Sequence, residues 1–373
     1  MQQHSEIILI GGGLIGLSLA VELKCKGATV TVLSRDVQEA AGLVGAGMLA
    51  PQAEQLPPGP MLELCLRSRA LYNDWTRKLE EITGLDTGYW PCGILAPVYE
   101  RPPCTRLEAT PDTPSHWLES EVILQQQPGL GDDVVGGWWF PQDGQVDNRR
   151  GLIKILKTAA TVLGVKIIEG VTVEKLVISP NQIITEIVTN QGNFRADHYI
   201  LTAGAWSGQL LSIPVYPRKG QMLSVRVPKS VKSLPLKQVL FGSDIYIVPR
   251  RDGLIVIGAT SENVGFNSGL TPNGIEHLLS GAMRLYPVLK EFEIEEFWWG
   301  FRPETPDSMP ILGQSSWQNL TLATGHYRNG ILLAPVTAQL ISNWVLNQQY
   351  DPLLSYFKGD RFRCSGVPVF PSI

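Results

Sequence analysis

Hydrophobic and polar positions along the chain fall into short β-branched runs that alternate with segments of helical period. Ile7 to Ile10 is a continuous apolar run of the kind a buried parallel strand shows, and it breaks at a glycine cluster. A helical pattern then continues to about Lys26, where Gly27 ends it, and the β-branched run Thr29 to Leu33 returns as a second strand. The stretch EIILIGGGLIGLSLAVELKCKGATVTVLSR therefore reads as one βαβ unit of about 30 residues.

The same periods place the remaining elements. Leu64, Leu71, Trp75, Leu79 and Ile82 recur at helical spacing over 61–83, with the PPGP run before them as a restart and Gly84 as a stop. Further helices are predicted over 116–126, over 148–163 with Asp147 as a cap, over 271–285, and over 331–347 with Pro335 in its first turn, where proline is tolerated. Strands are predicted at 165–168, in two alternating runs over 171–188 split by the turn SPNQ, and in a run ending at 199–202. More follow at 221–227, 243–249, 254–258, 293–300 and 319–323, with Pro217, Pro228 and Pro249 at strand ends. The proline-rich stretch 90–140 predicts antiparallel strands, and the tail from Asp351 onward, with Cys364 and Phe370, reads as loosely attached.

This order of elements predicts an α/β fold: a Rossmann-like dinucleotide-binding domain with a second α+β substrate domain built on a largely antiparallel sheet. The first domain is expected to be discontinuous, from residues 1–89, 148–213 and 307–357. The second takes 90–147 and 214–306, and 358–373 is a C-terminal tail.

Gly11, Gly13 and Gly16 carry the G-x-G-x-x-G spacing directly after the first strand. The first allows a tight turn, the second lets backbone approach a pyrophosphate, and the third lets helix pack on strand. Phosphates would then sit on the open N–H groups around Leu14 and Ile15. The second strand should end in an acid that grips the adenosine ribose, yet it ends in Ser34, followed by Arg35. A serine hydroxyl can still bond a ribose, so at this point the cofactor stays open between a flavin and a nicotinamide.

Composition narrows the function classes. The chain has 373 residues, 44% hydrophobic and 18% charged, with a net charge of -4, which favours two domains and offers no general attraction to nucleic acid. No run reaches membrane-spanning length and the first residues lack a basic leader, so neither a signal peptide nor a membrane span is expected. The five cysteines are widely spread without a C-x-x-C pair, and the five histidines form no ligand pair. Free thiols in the cytoplasm and no metal site are the expectation.

Three other segments draw chemical interest. In DIYIVPR, alternation sets Ile245 and Ile247 on one face and Tyr246 and Val248 on the other, so Tyr246 either points its hydroxyl into a cleft or is a half-buried strand tyrosine. In FWWGFRPET, Arg302 follows an aromatic strand, and its guanidinium demands an anion, either a ligand carboxylate or Glu304 or Asp307. In GHYRNGILLAP, the helix start at Asn329 to Leu332 offers free N–H groups and a positive dipole end, the kind of terminus a reduced flavin wants near its ring. His326 lies just before it, near that ring or in a solvated turn. The small-residue stretch 38–51 and Ala203-Gly204-Ala205-Trp206-Ser207 are two further places where backbone either approaches a large ligand or simply turns.

Taken together, GGGLIG, AGML at 46–49, YIVPR, GFRPET and above all GHYRNGILLAP resemble the D-amino-acid oxidase superfamily of flavoproteins. The resemblance runs from about residue 6 to residue 347 and is strongest to the glycine-oxidising bacterial branch of thiamine biosynthesis. It implies bound FAD, with Leu14, Ile15, Ser34, Arg35, Ala41, Gly42, Ala46, Gly47, Met48 and Val173 around its adenosine and diphosphate or threading past it; no cysteine lies near the ring site in sequence, so the FAD is expected to be non-covalent. Ala203, Gly204 and Trp206 would approach the cofactor from another strand end, and His326, Tyr327, Arg328, Asn329, Gly330, Ile331 and Leu332 would lie against the ring. It further implies that Arg302 pairs with a substrate carboxylate, that Tyr246 donates its hydroxyl to the same group, and that Arg328 lies at the substrate pocket. Ser34 departs from the family's usual acid and puts the ribose contact in doubt.

The implied reaction is oxidative deamination of glycine, other small amines or D-amino acids to a 2-oxo acid, ammonia and hydrogen peroxide, with O2 as acceptor. A homo-oligomer is also expected. D-amino-acid or sarcosine oxidase or dehydrogenase is the alternative within the fold, and a nicotinamide dehydrogenase or non-catalytic flavin binder the alternative outside it.

Overall fold

The computed structural model describes residues 4–102 and 114–362. Its first strand, β1 (His4–Ile10), pairs in parallel with β2 (Val30–Ser34), Ile7 opposite Val30 and Ile10 opposite Leu33. Between them runs the helix α1 (Leu14–Cys25). Its apolar residues face all ways, as a helix needs when it is enclosed, and Leu17, Leu19, Ala20, Val21 and Leu23 are all buried. Each of these leucine and valine side chains removed from water contributes about 1.5–3 kcal/mol.

Strand Gly192–Leu201 flanks β1 on the other side, also in parallel; Lys166–Glu169 ends the sheet beyond β2, and Leu320–Thr324 continues it on the other side, edged by the antiparallel strand Ile311–Gln314. The second sheet runs in the order Glu293–Glu304, Tyr216–Arg226, Leu254–Gly258, Tyr246–Pro249, Val239–Phe241, Ile94–Val98, Gly136–Phe140, His116–Glu119. All its neighbours are antiparallel except Val239–Phe241 against Ile94–Val98. The fold is thus α/β, with a sheet that is parallel at its centre, covered by helices on one face and by the hairpin Val173–Ile178/Ile184–Thr189 on the other, and a second sheet that is largely antiparallel.

Several elements differ from the expectation. The helix predicted over 116–126 is a strand, His116–Glu119, followed by the short helix Ser120–Gln126. Trp117 stands opposite Trp138 there, a cross-strand aromatic pair that favours the pleat over the helix. Asn148–Leu152 is a π turn before the helix Ile153–Val162, with Asp147 accepting from the Arg150 N–H as the predicted cap. The strand predicted from Ser243 begins at Tyr246, because Gly242 N–H bonds Ile245 O across a turn that joins it to Val239–Phe241, a strand the pattern did not show. The stretch after Asp351 is anchored rather than loose: Asp351 pairs with Arg67 at 2.7 Å, and Leu353, Leu354, Phe357 and Phe362 are buried. Cys364 and Phe370 lie outside the described residues.

Pro335 is the sixth residue of helix Gly330–Asn347, beyond its first turn. A proline there withholds the N–H that Ile331 O would accept. The long helix α2 (Pro60–Thr83) supplies the missing donor, Tyr72 Oη donating to Ile331 O at 2.6 Å, and Ser68 Oγ donates to the next carbonyl, Leu332 O, at 2.5 Å, both side chains being fully buried. Ile331 borders the cavities described below, so this splice fixes the helix start where it meets them. Tyr72→Phe is expected to lower the stability by about 1–3 kcal/mol, the cost of an unsatisfied buried carbonyl, read as a lower urea midpoint at constant slope.

Candidate active site

Two cavities meet inside the molecule, sharing Gly45, Arg302, Arg328 and Ile331 as walls. The first begins at the end of β2 beside Ser34 and Arg35 and passes the glycine turn. It continues along Ala41 and Gly42, Val173, and Ala203 to Trp206, and ends against His326, Tyr327, Arg328 and Gly330. The second opens beyond Arg302 and Arg328 between Ala46, Gly47, Met48, Glu54 and Tyr246.

The geometry at β1 explains the glycines. Gly11 has φ +119, and a Cβ there would lie 2.7 Å from the Thr202 carbonyl carbon. A Cβ at Gly16 would overlap Gly11 O and come within 2.9 Å of Thr202 Oγ1, whereas one at Gly13 would meet only Ala40 Cβ at 3.6 Å. Gly16 is therefore the packing glycine, and Gly13 faces the cavity. α1 starts at Gly13 without a side-chain cap and without an acid in its first turn. Its open N–H groups and positive end face the first cavity, the arrangement that binds a phosphate. Helix Gly330–Asn347 starts in the same way, with no side-chain cap on Asn329, at the far end. The loop between is held by Asn148, whose Nδ2 donates to Gly42 O at 2.6 Å and Gly45 O at 2.7 Å.

Two uncapped helix starts joined by a glycine turn and a long trough suit a dinucleotide with a flat ring, and the residues present fit one. Ser34 is buried under Gly12, where a Cβ would come within 2.8 Å of its Oγ, so its hydroxyl lies at the turn itself. Arg35 pairs with Glu39 and lies 4.5 Å over the Trp206 ring, which stacks in turn on Phe266.

At the junction of the cavities, Arg302 donates from Nη1 to Thr260 O at 3.0 Å. Its sequence neighbours are otherwise engaged, Glu304 by Arg218 at 2.7 Å and Asp307 by Arg361 at 2.7 Å. Among the described residues Arg302 has no ion pair, so the internal salt bridge left open above is absent and the guanidinium is available to an anion. It lies flat across Gly220 on the adjacent strand, where a Cβ would come within 2.5 Å of Nη1 and 2.7 Å of Nη2. Tyr246 projects into the second cavity, while Ile245 and Ile247 pack into the apolar cluster beneath the sheet. Burial pushes its phenol above the ordinary value and Arg302 draws it back only in part, so the hydroxyl stays a donor. The hydroxyl reaches the weak acceptor Met222 Sδ at 3.6 Å and shares a side-chain hydrogen bond with Arg302.

His326 borders the first cavity but is 2% exposed, with Nε2 at 3.1 Å from Thr337 Oγ1. Burial pushes it down to about 3, so it is neutral and moves no proton near neutral pH. Leu332 faces α2 in the core and Asn329 is buried behind the wall; neither lines a cavity.

Sequence reasoning missed Glu54 and its support. Asp143 accepts from the Gln52 and Ala53 N–H groups at 3.2 and 2.9 Å and pairs with Arg69 at 2.6 Å, which fixes the turn that carries Glu54. Burial pushes Glu54 up to about 7, against the pull of Arg328, an Asn329 side-chain bond and Arg302. Only its position just after the small-residue stretch hinted at a site role.

Comparison with known proteins agrees with this layout. Residues 6–344 match the DAO family, described as FAD dependent oxidoreductase. The chain is 58% identical over 369 residues to the bifunctional protein ThiO/ThiG of Nostoc sp., covering 98% of this chain and 56% of that protein. It therefore spans little more than half the length of that relative. It is 31% identical to the glycine oxidase of Bacillus licheniformis, covering 97% and 98% of the two chains. The crystal structure of glycine oxidase from Geobacillus kaustophilus superposes with a TM-score of 0.87 at 31% identity over 96% of this chain and 99% of that one. With the match running from β1 nearly to the end of the last long helix, both sheets fall within it, and the chain belongs to the DAO family of FAD dependent oxidoreductases.

Proposed function

We propose that this protein is a glycine oxidase, converting glycine, O2 and water to glyoxylate, ammonia and hydrogen peroxide in the supply of thiamine thiazole. The observation that carries the reading is Arg302: a guanidinium without an internal carboxylate, at the point where the trough opens into the second cavity. Likeness to the glycine oxidases and to the ThiO/ThiG proteins supports it.

Bound FAD supplies a two-electron acceptor. The diphosphate would be held by the N–H groups of Leu14 and Ile15 beside Gly11 and Gly13, the adenosine by Ser34, Arg35 and Val173, and the ring by the start of helix Gly330–Asn347. We divide the chain accordingly, with 1–89, 148–213 and 307–357 as the cofactor domain, which also lends Arg328 to the substrate pocket, and 90–147 and 214–306 as the substrate domain that carries Tyr246 and Arg302. Arg302 takes the substrate carboxylate through its fork, Tyr246 donates to the same group, and Arg328 adds a second positive charge. Fixing the acid end aims the α-carbon, and positioning of this kind accounts for about 7–11 kcal/mol of a barrier at best.

Adding glycine without air to the yellow holoenzyme should bleach it, and air should restore the colour with glyoxylate, ammonia and peroxide in equal amounts. A colour unmoved by glycine but bleached by D-alanine or sarcosine would give the alternative substrates. A colour unmoved by any amino acid would remove the oxidase reading.

A further inference from the structure

Two guanidiniums at one junction suit the acid end of an amino acid and repel its ammonium end. A zwitterion therefore needs a carboxylate within the same cavity. Three acids border it. Glu262 is already engaged by Lys219, Gln221 and Thr260, and Asp244 is exposed and bonded to Ser243. Glu54 remains, on the turn pinned by Asp143, with Arg328, Asn329, Arg302 and Tyr246 as its neighbours.

We infer that Glu54 is a catalytic residue that receives the substrate ammonium and takes its proton before the carbon is oxidised. An N–H bond breaks, leaving its electron pair on nitrogen, and an O–H bond forms on the Glu54 carboxyl. Nothing is oxidised or reduced in this step, and the proton then passes to solvent through the open side of the cavity. Only the neutral amine has the lone pair that can push electrons toward the bond being oxidised.

The charges around Glu54 fit this role. Arg328 and Asn329 face it from the start of helix Gly330–Asn347 and Arg302 from strand Glu293–Glu304, and all three favour the carboxylate, with Tyr246 close by on its own strand. Behind it lie Cys65, whose thiol burial holds protonated, and Asp143, whose oxygens are occupied by Arg69 and two backbone N–H groups. Glu54 is thus the acid in this group that opens on the cavity, and its value of about 7 sets it between carboxylate and carboxylic acid at working pH. Its folded value lies above the ordinary 4.5, so the accepting form is lost as pH falls through about 7.

The inference rests on the amino-acid oxidase reading. Its test is the pH profile of kcat/KM for glycine in the wild-type holoenzyme and in Glu54→Gln, with acetate affinity measured from the flavin spectrum. Wild-type kcat/KM should rise through about pH 7 and level off. In Glu54→Gln it should drop about 100-fold at pH 8 and climb tenfold per pH unit toward the amine's own pKa, while acetate, which lacks the amine, binds at least as tightly. Should glutamine at 54 prevent FAD retention, Glu54→Asp carries the test, and it must keep the rising limb near pH 7. An unchanged profile in Glu54→Gln, or loss of acetate binding together with activity, overturns the role of Glu54 and leaves the oxidase reading intact. A wild-type enzyme that oxidises no amino acid overturns both.

Discussion

Arg302→Ala should raise KM for glycine by about two to three and a half orders of magnitude while FAD stays bound. Removing one partner of a buried ion pair costs about 3–5 kcal/mol, because the other charge is left in the cavity unpaired. Each 1.4 kcal/mol is about tenfold in affinity. Here the protein offers no substitute, since Glu304 and Asp307 have their own arginines and Arg328 alone remains near the junction. Arg302→Lys should recover only part of the loss, because an ammonium cannot match the two-pronged contact of a guanidinium with a carboxylate. Gly220→Ala keeps the guanidinium but crowds its resting place, so it should raise KM with little effect on melting: the crowded atoms are the movable end of a side chain. Steady-state kinetics with glycine decide it. Wild-type KM in Arg302→Ala would remove this residue from the carboxylate site.

What was legible in the chain was local. β1, the glycine turn, α1 and β2 lie within one short stretch, and α2 was bounded by Pro60 and by Gly84, which adopts φ +69 at the helix end. The alternation around Tyr246 is legible for the same reason, since each residue's face follows from its neighbours alone. What was not legible depends on distant partners. His116–Glu119 is a strand only because Gly136–Phe140 lies beside it, and Pro335 sits inside a helix only because Tyr72 and Ser68 reach across from α2. Glu54 is the sharpest case. The turn that carries it is held by Asp143 and its hydrogen bond comes from Asn329, both far along the chain, and no local pattern distinguishes it from an exposed glutamate.

The two glycines at the ends of the G-x-x-G half of the fingerprint should fail in different ways, and the difference tests the division of labour at the turn. Gly16→Ala places a methyl into Gly11 O, and that oxygen cannot retreat, because Thr202 Oγ1 donates to it at 2.8 Å and to Ile10 O at 3.1 Å. The obstacle is backbone, so α1 must lift off β1 and carry the N–H groups of Leu14 and Ile15 away from the trough. Overpacking of this kind costs about 1–3 kcal/mol even without a ligand, and the holoenzyme loses in addition whatever stability FAD lends by binding only the folded state. Gly16→Ala should therefore purify pale, melt below wild type without FAD, and recover only part of its melting temperature when FAD is added. Gly13→Ala meets nothing closer than Ala40 Cβ at 3.6 Å, so its apoprotein should melt with wild type, and only the gain on adding FAD should shrink. Melting curves with and without FAD, beside the flavin-to-protein absorbance ratio, separate the two. If both variants lost apoprotein stability alike, Gly13 would be a packing glycine too, and the trough would have to bind its phosphates elsewhere along α1.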